Sequence, residues 1–186
     1  MLSTLCRYSG LICILLLFGE VPVHAGNPKA TAMQHFFVIK QIFPKVERVG
    51  ILLSKREKGK EKLLKTINRA AAATGHKAIV AEVTSLSDIA AEFQTLVKEY
   101  RIQAIWIPDD QEELTNPIAR DYLIQKSVLY GIPLVAPKTE WVQRGACFTL
   151  TVSPSGVRLF ANPKTLQALG TSIPEAYQAK TQFAVN

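Results

Sequence analysis

The segment RIQAIWIPDD, Arg101 to Asp110, opens polar, runs dry through Ala104, Ile105, Trp106 and Ile107, and stops at Pro108 and two acids. A short β-rich run without alternation, closed by a turn signal, predicts a strand buried on both faces. Asp109 and Asp110 then fall at its carboxyl edge. In open α/β sheets that edge is where ligands bind, so the fold reading becomes a question about function. The acids also have an ordinary reading, as polar residues that end a strand and enter a loop. Asn116 and Pro117 would then start the next helix by capping alone.

Outward from this segment the chain alternates between two periods. On the N-terminal side a helix is expected from Thr31 to Phe43, stopped by Pro44, followed by a strand from Val49 to Leu53. Lys58 to Ala73 reads as helix with Gly75 as its C-terminal cap, and Ile79 to Val83 as strand. Ser85 or Ser87 caps a helix from Asp88 to Tyr100, where Ile89, Phe93, Leu96 and Val97 form one stripe. On the C-terminal side come a helix from Ile118 to Leu129, a strand in GIPLVAP, a short helix around Trp141 and a strand from Phe148 to Val152. Strands separated by helices need crossover connections, which give parallel pairing and helices on both faces. The expected fold class is α/β, a three-layer sandwich with a mainly parallel five-stranded sheet. Asn162, Pro163 and Gly170 bracket a terminal helix, and IPEAYQAKTQF is a candidate for one more.

Arg7, the apolar run Leu11 to Phe18 and the small-residue step ending at Ala25 have the order of a cleaved secretory signal. The run is too short for a span, which needs about 20 apolar residues. The expected organisation is therefore a signal peptide over 1–25 and a single α/β domain over 26–186, with periplasmic localisation and no membrane span after cleavage. Cys6 and Cys13 leave with the signal, so Cys147 has no internal partner and reads as a small buried hydrophobe.

The chain carries a net charge of +7, which favours anionic neighbours such as lipid head groups, envelope polymers or acidic ligands. Nucleic acid is not expected outside the cytoplasm. Much of the charge lies in SKREKGKEKLLK, whose simplest account is a solvated helix face. Catalytic patterns are missing from the sequence. The mature chain would keep only His35 and His76, read as helix-surface and turn residues, with no G-x-S-x-G. Gly59 and Lys60 lack the rest of a phosphate loop. The acids Asp109, Asp110, Glu112 and Glu113 lack the alternate spacing around a glycine that a calcium loop uses. No enzyme activity, cofactor or metal is expected.

The order of IFPKVERVGILLS, AAATGHKAIVAEVTSLSDIAAEFQTLV, IQAIWIPDD, GIPLVAPKTEWVQRGACFTL and NPKTLQALGTSIPEAY resembles the periplasmic substrate-binding proteins of ABC transporters, in the family that includes tryptophan- and other amino-acid-type binders. The resemblance runs from about Ile42 to Tyr177. It implies one lobe of a two-lobed molecule whose ligand lies between lobes, and this chain resembles only the second lobe with the terminal helix. Matched residue by residue, Asp110 and Gln111 fall where members have an Asp-Asn pair after the third strand, and Ser54 falls at the end of the first strand, both facing the cleft. Members have a polar Asn-Ser step where this chain has Gly59 and Lys60, a departure that counts against an amino-acid ligand. Lys55 and Lys60 favour an anionic group. After the fifth strand the family's crossing segment is replaced by the shorter SPSGVRLF.

The function so implied is a non-catalytic, single-lobe solute-binding or sensing component. Its ligand-binding residues are Ser54, Lys55, Lys60, Asp110 and Gln111, and its ligand is a small anionic or amino-acid-like molecule. A lone lobe offers one wall of a cleft, whereas small-molecule pockets cover about 70–90% of a ligand. A homodimer or a second protein would therefore complete the cleft, and a permease of the ABC type is an expected partner. The cleft face, with the strand end at Trp106, Pro108 and the Trp141 region, is expected near solvent. The alternative is an envelope regulatory or interaction protein that binds another protein through the former cleft face and takes no small molecule.

Overall fold

The computed structural model describes residues 29–108, 112–154 and 156–185. The expected signal peptide over 1–25 lies outside the described residues, as do Asp109, Asp110 and Gln111.

Eight helices and seven strands follow in the order α1 (Ala32–Ile42), β1 (Arg48–Ser54), α2 (Lys60–Thr74), β2 (Lys77–Val83), α3 (Leu86–Lys98), β3 (Ala104–Trp106), α4 (Glu112–Thr115), α5 (Pro117–Leu129), β4 (Leu134–Val135), α6 (Thr139–Gln143), β5 (Phe148–Ser153), β6 (Gly156–Ala161), α7 (Pro163–Ala168), α8 (Glu175–Gln178) and β7 (Thr181–Phe183) among the described residues. The sheet order is β2-β1-β3-β4-β5-β6-β7. The first five strands are mutually parallel; β6 is antiparallel to β5, and β7 is parallel to β6.

Strand alternation divides the core into two layers. Val49, Ile51 and Leu53 of β1 join Ala104, Trp106, Val135 and Phe148 against α1, α2 and α7. Leu52, Ile105, Leu134 and Ala136 face the opposite way, against α3, α5 and α6. Both faces of the central strands are thus covered, which explains why their sequence shows no polar alternation. Gly50 lies where β1 is crowded, since a Cβ there would come within 2.7 Å of Ile102 Cδ1.

The helix boundaries follow local chemistry. Thr31 and Gln34 form a capping box at α1, with the Thr31 hydroxyl accepting the Gln34 N–H and the Gln34 side chain accepting the Thr31 N–H. Ser85 caps α3, Asn116 caps α5 and Asn162 caps α7. Gly75 ends α2 in the left-handed region.

The sheet has seven strands where five were expected. SPSGVRLF is not a shortened crossing segment. It carries the end of β5 at Ser153 and most of β6 from Gly156, and with only two residues between those ends the chain returns antiparallel. The candidate helix in IPEAYQAKTQF supplies only the single turn of α8, after which β7 joins the edge of β6. The Leu159 N–H donates to the Lys180 carbonyl at 3.0 Å and the Ala184 N–H to the Ala161 carbonyl at 2.8 Å. Among the described residues, no helix is long and apolar enough to cross a membrane.

Candidate functional site

The carboxyl ends of β1, β3 and β4 lie side by side, and β5 continues past them. Val135 of β4 pairs with Phe148 of β5, and no later β4 residue pairs with β5. Beyond that point lies a cavity of about 490 Å³, walled by Pro108, by Ala136 to Glu140, by Thr149 to Val152 of β5, and by Lys29, Ala30 and His35 at the start of α1. A second cavity of about 430 Å³ lies on the other side of the segment entering α1. It is walled by Lys58, Gly59 and Lys62 at the start of α2, by Leu63 and Thr66, and by Trp106 and Pro108. Lys29, Ala30 and Pro108 line both cavities.

His35 is buried, with 7% of its surface exposed, and stacks on Trp106. Its Nδ1 lies 2.9 Å from the Thr31 carbonyl oxygen. A carbonyl can only accept, so Nδ1 carries the proton and Nε2 presents a lone pair. Burial strips water from the charged imidazolium and pushes the His35 pKa down to about 4, against the smaller opposing effect of the Thr31 bond. His35 is therefore a neutral acceptor at physiological pH. The Trp106 indole N–H is buried without a hydrogen-bond partner among the described residues.

Arg120 of α5 is 5% exposed and reaches two carboxylates, one of them on Glu140 of the first cavity's wall. Its Nε donates to Asp121 at 2.9 Å and its Nη1 to Glu140 at 2.6 Å. This ties α5 to the start of α6 and fixes the Lys138–Glu140 wall.

The residues expected from sequence are placed as follows. Ser54 ends β1, is buried, and its Oγ accepts the Arg56 N–H at 3.1 Å. Lys55 is exposed, and its backbone N–H donates to Val83 at 2.9 Å. The Lys60 ammonium is 2.8 Å from Glu82 on the outer strand β2. None of these three lines either cavity, whereas their neighbours Lys58, Gly59 and Lys62 do. Asp110 and Gln111 lie outside the described residues. His35 and His76, read from sequence as surface and turn residues, are both buried. Of the strand end at Trp106, Pro108 and the Trp141 region, expected near solvent, Pro108 is partly exposed and lines both cavities, whereas Trp141 is 2% exposed and packs with the layer of α3 and α5. Cys147 is fully buried as expected, and burial raises its thiol pKa.

The sequence reading missed His35, Lys58, Lys62 and the β5 wall. A signal for His35 was present: Ala32, His35, Phe36, Ile39 and Ile42 recur at helical spacing on the buried side of α1.

Residues 26–157 match the model of the family described as ABC transporter substrate binding protein. The chain belongs to that family. Among solved structures, this family member is similar to a conserved domain protein from Vibrio cholerae O1 biovar El Tor, at 20% identity and a TM-score of 0.71, over 83% of this chain and 60% of that one. It is similar to an ABC domain in complex with L-Trp from Streptococcus pneumonia, at 19% identity and a TM-score of 0.71, with the same coverage. It also resembles the ligand-free, open structure of a substrate-binding protein with adhesive properties from Clostridium difficile, at 14% identity and a TM-score of 0.68, over 83% and 59%. At these identities the likeness establishes the fold. The family member spans about 60% of the length of these structures. No curated protein matches it.

Proposed function

We propose that the protein is a periplasmic, non-catalytic solute-binding or sensing component, acting as a single lobe whose carboxyl edge takes a small anionic or amino-acid-like ligand. The observation that supports this best is the pair of cavities meeting at Pro108, at the strand edge where α/β sheets bind ligands, in a member of the substrate-binding family. Lys29, Lys58, Lys62 and Lys138 around the two cavities favour anionic groups. Ser54, Lys55, Lys60, Asp110 and Gln111 belong to the same reading as contacts or supports of that edge, and a permease of the ABC type is the downstream partner.

A second copy or another protein closes the cleft in this reading. The alternative, an envelope interaction protein that docks another protein on this face, draws on the coverage of about 60% of the solved relatives. Thermal melting against a panel of amino acids, short peptides and organic anions separates the two. A ligand at about 100 times its Kd raises stability by about 2.7 kcal/mol. Asp110→Ala is expected to remove that shift. A panel without any shift removes the solute reading and leaves the protein-docking one.

A further inference from the structure

β5 offers more than a wall. In an antiparallel ladder, alternate residues bond the partner strand, and the others turn their backbone N–H and C=O the opposite way. The Asn162 N–H donates to the Cys147 carbonyl, whereas the Phe148 carbonyl accepts from Ala136 on the β4 side. The same alternation places the polar groups of Thr149, Thr151 and Ser153 toward β6, and those of Leu150 and Val152 toward the line of β4. But β4 has already ended. Two ladder positions therefore face the first cavity, about 7 Å apart by strand geometry. Among the described residues, no backbone group reaches them from that side.

His35 adds an acceptor. Its Nδ1 is committed to Thr31, which leaves Nε2 as the nitrogen able to accept, and the otherwise buried ring lines this same cavity. The opposite wall, Lys138 to Glu140, carries both signs of charge.

We propose that this cavity holds a short peptide in extended conformation, paired to β5 through Leu150 and Val152 as an added strand. The inference rests on the reading that the carboxyl edge binds a ligand, and it names the class of that ligand. A free amino acid or compact anion does not reach both ladder positions. A tripeptide does, and its alternating donors and acceptors are what an open strand edge recognises. The His35 imidazole accepts one further peptide N–H, and the mixed charges of the Lys138–Glu140 wall suit peptide termini.

Calorimetric titration of the full chain with tri-L-alanine, with its analogue N-methylated at both amides, and with L-alanine tests this. N-methylation removes the donors while leaving the charges. The tripeptide is expected to bind about tenfold or more tighter than either comparison compound, since each lost backbone bond weakens binding several-fold. Val152→Pro removes a donor that faces the cavity and none that faces β6. It is expected to match the N-methyl loss with an unchanged melting temperature, while Val152→Ala binds as the parent does. If Val152→Pro does not fold, the N-methyl comparison alone decides. Equal affinity for tripeptide and N-methyl analogue, or no tripeptide binding at millimolar concentration, overturns the proposal. A solute from the melting panel that still binds would show that the edge itself remains a ligand site.

Discussion

His35 of α1 stacks on Trp106 of β3, with ring centroids 4.7 Å apart and planes inclined by 25°. Phe36 meets the same indole edge-on at 5.6 Å. The contact joins the first helix to the strand that ends at Pro108, so the charge state of one imidazole bears on the stability of the whole edge.

The sign of that dependence follows from the shift. His35 titrates near 4 when folded and near 6.5 when unfolded, so between those values the unfolded chain binds more protons. Its contribution is fully present above about pH 6.5 and is lost as pH falls toward 4, by about 3 kcal/mol at roughly 1.4 per pH unit. Melting temperatures measured from pH 7 to 4.5 are expected to fall, and His35→Phe to flatten the profile. His76, also lowered by burial and by Lys40, supplies part of what slope remains. An unchanged profile in His35→Phe would show that His35 is not the group being titrated.

Arg120 and Glu140 make an asymmetric pair. The guanidinium is buried, but Asp121 and Glu140 are more than half exposed and can rehydrate. Removing the cation is therefore mild, and Arg120→Met is expected to stay within about 1 kcal/mol of the parent. Glu140→Ala leaves a buried cation with one acceptor fewer and is expected to cost about 1–3 kcal/mol. Urea midpoints in the reverse order would refute this.

Asn162 is a buried bracket. Its side-chain oxygen accepts the Thr165 N–H at 3.0 Å, and its amide donates to the Val142 carbonyl at 2.8 Å. Asn162→Ala loses the cap of α7 and one of the donors to the Val142 carbonyl, which keeps the Gly145 N–H at 3.1 Å, at a cost of about 1–3 kcal/mol. Asn162→Asp keeps the cap but sets a carboxylate against that carbonyl. Chemical denaturation is expected to rank Asp at or below Ala, which a simple capping role would not produce.

Lys60 and Glu82 are close, but each side chain is about 30% exposed. Water and salt screen such a pair. Lys60→Ala is expected to cost less than about 1 kcal/mol. A loss of several kcal/mol in thermal melting would mean that Lys60 supports the edge in a way the ion pair does not explain.

Most of the sheet was legible because its signals are local. The dry run at Ala104–Trp106 is buried on both faces, the helix caps at Ser85, Asn116 and Asn162 are self-contained, and Gly75 ends α2. The last two strands were not legible in the same way. Gly156–Ala161 was read as part of a shortened crossing segment and Thr181–Phe183 as part of a candidate helix, and their identity as strands is set by the edges they join. The site was partly legible. The carboxyl edge follows from the strand order, but the cavity wall comes from how far β5 outruns β4, a relation between separate segments that no single window records. Lys60 was singled out because it falls where the family has a polar step at the start of the next helix, whereas its head group turns toward β2 and leaves Lys58 and Lys62 to line the cavity.

The overhang of β5 also divides its amides by rate. Thr149, Thr151 and Ser153 are tied into β6 and release their hydrogens only when the hairpin opens. Leu150 and Val152 face the cavity and are expected to trade theirs with solvent while the hairpin stays intact. Hydrogen exchange along one strand is thus interleaved, slow and fast in turn, and whatever settles against that edge announces itself by slowing the fast set alone.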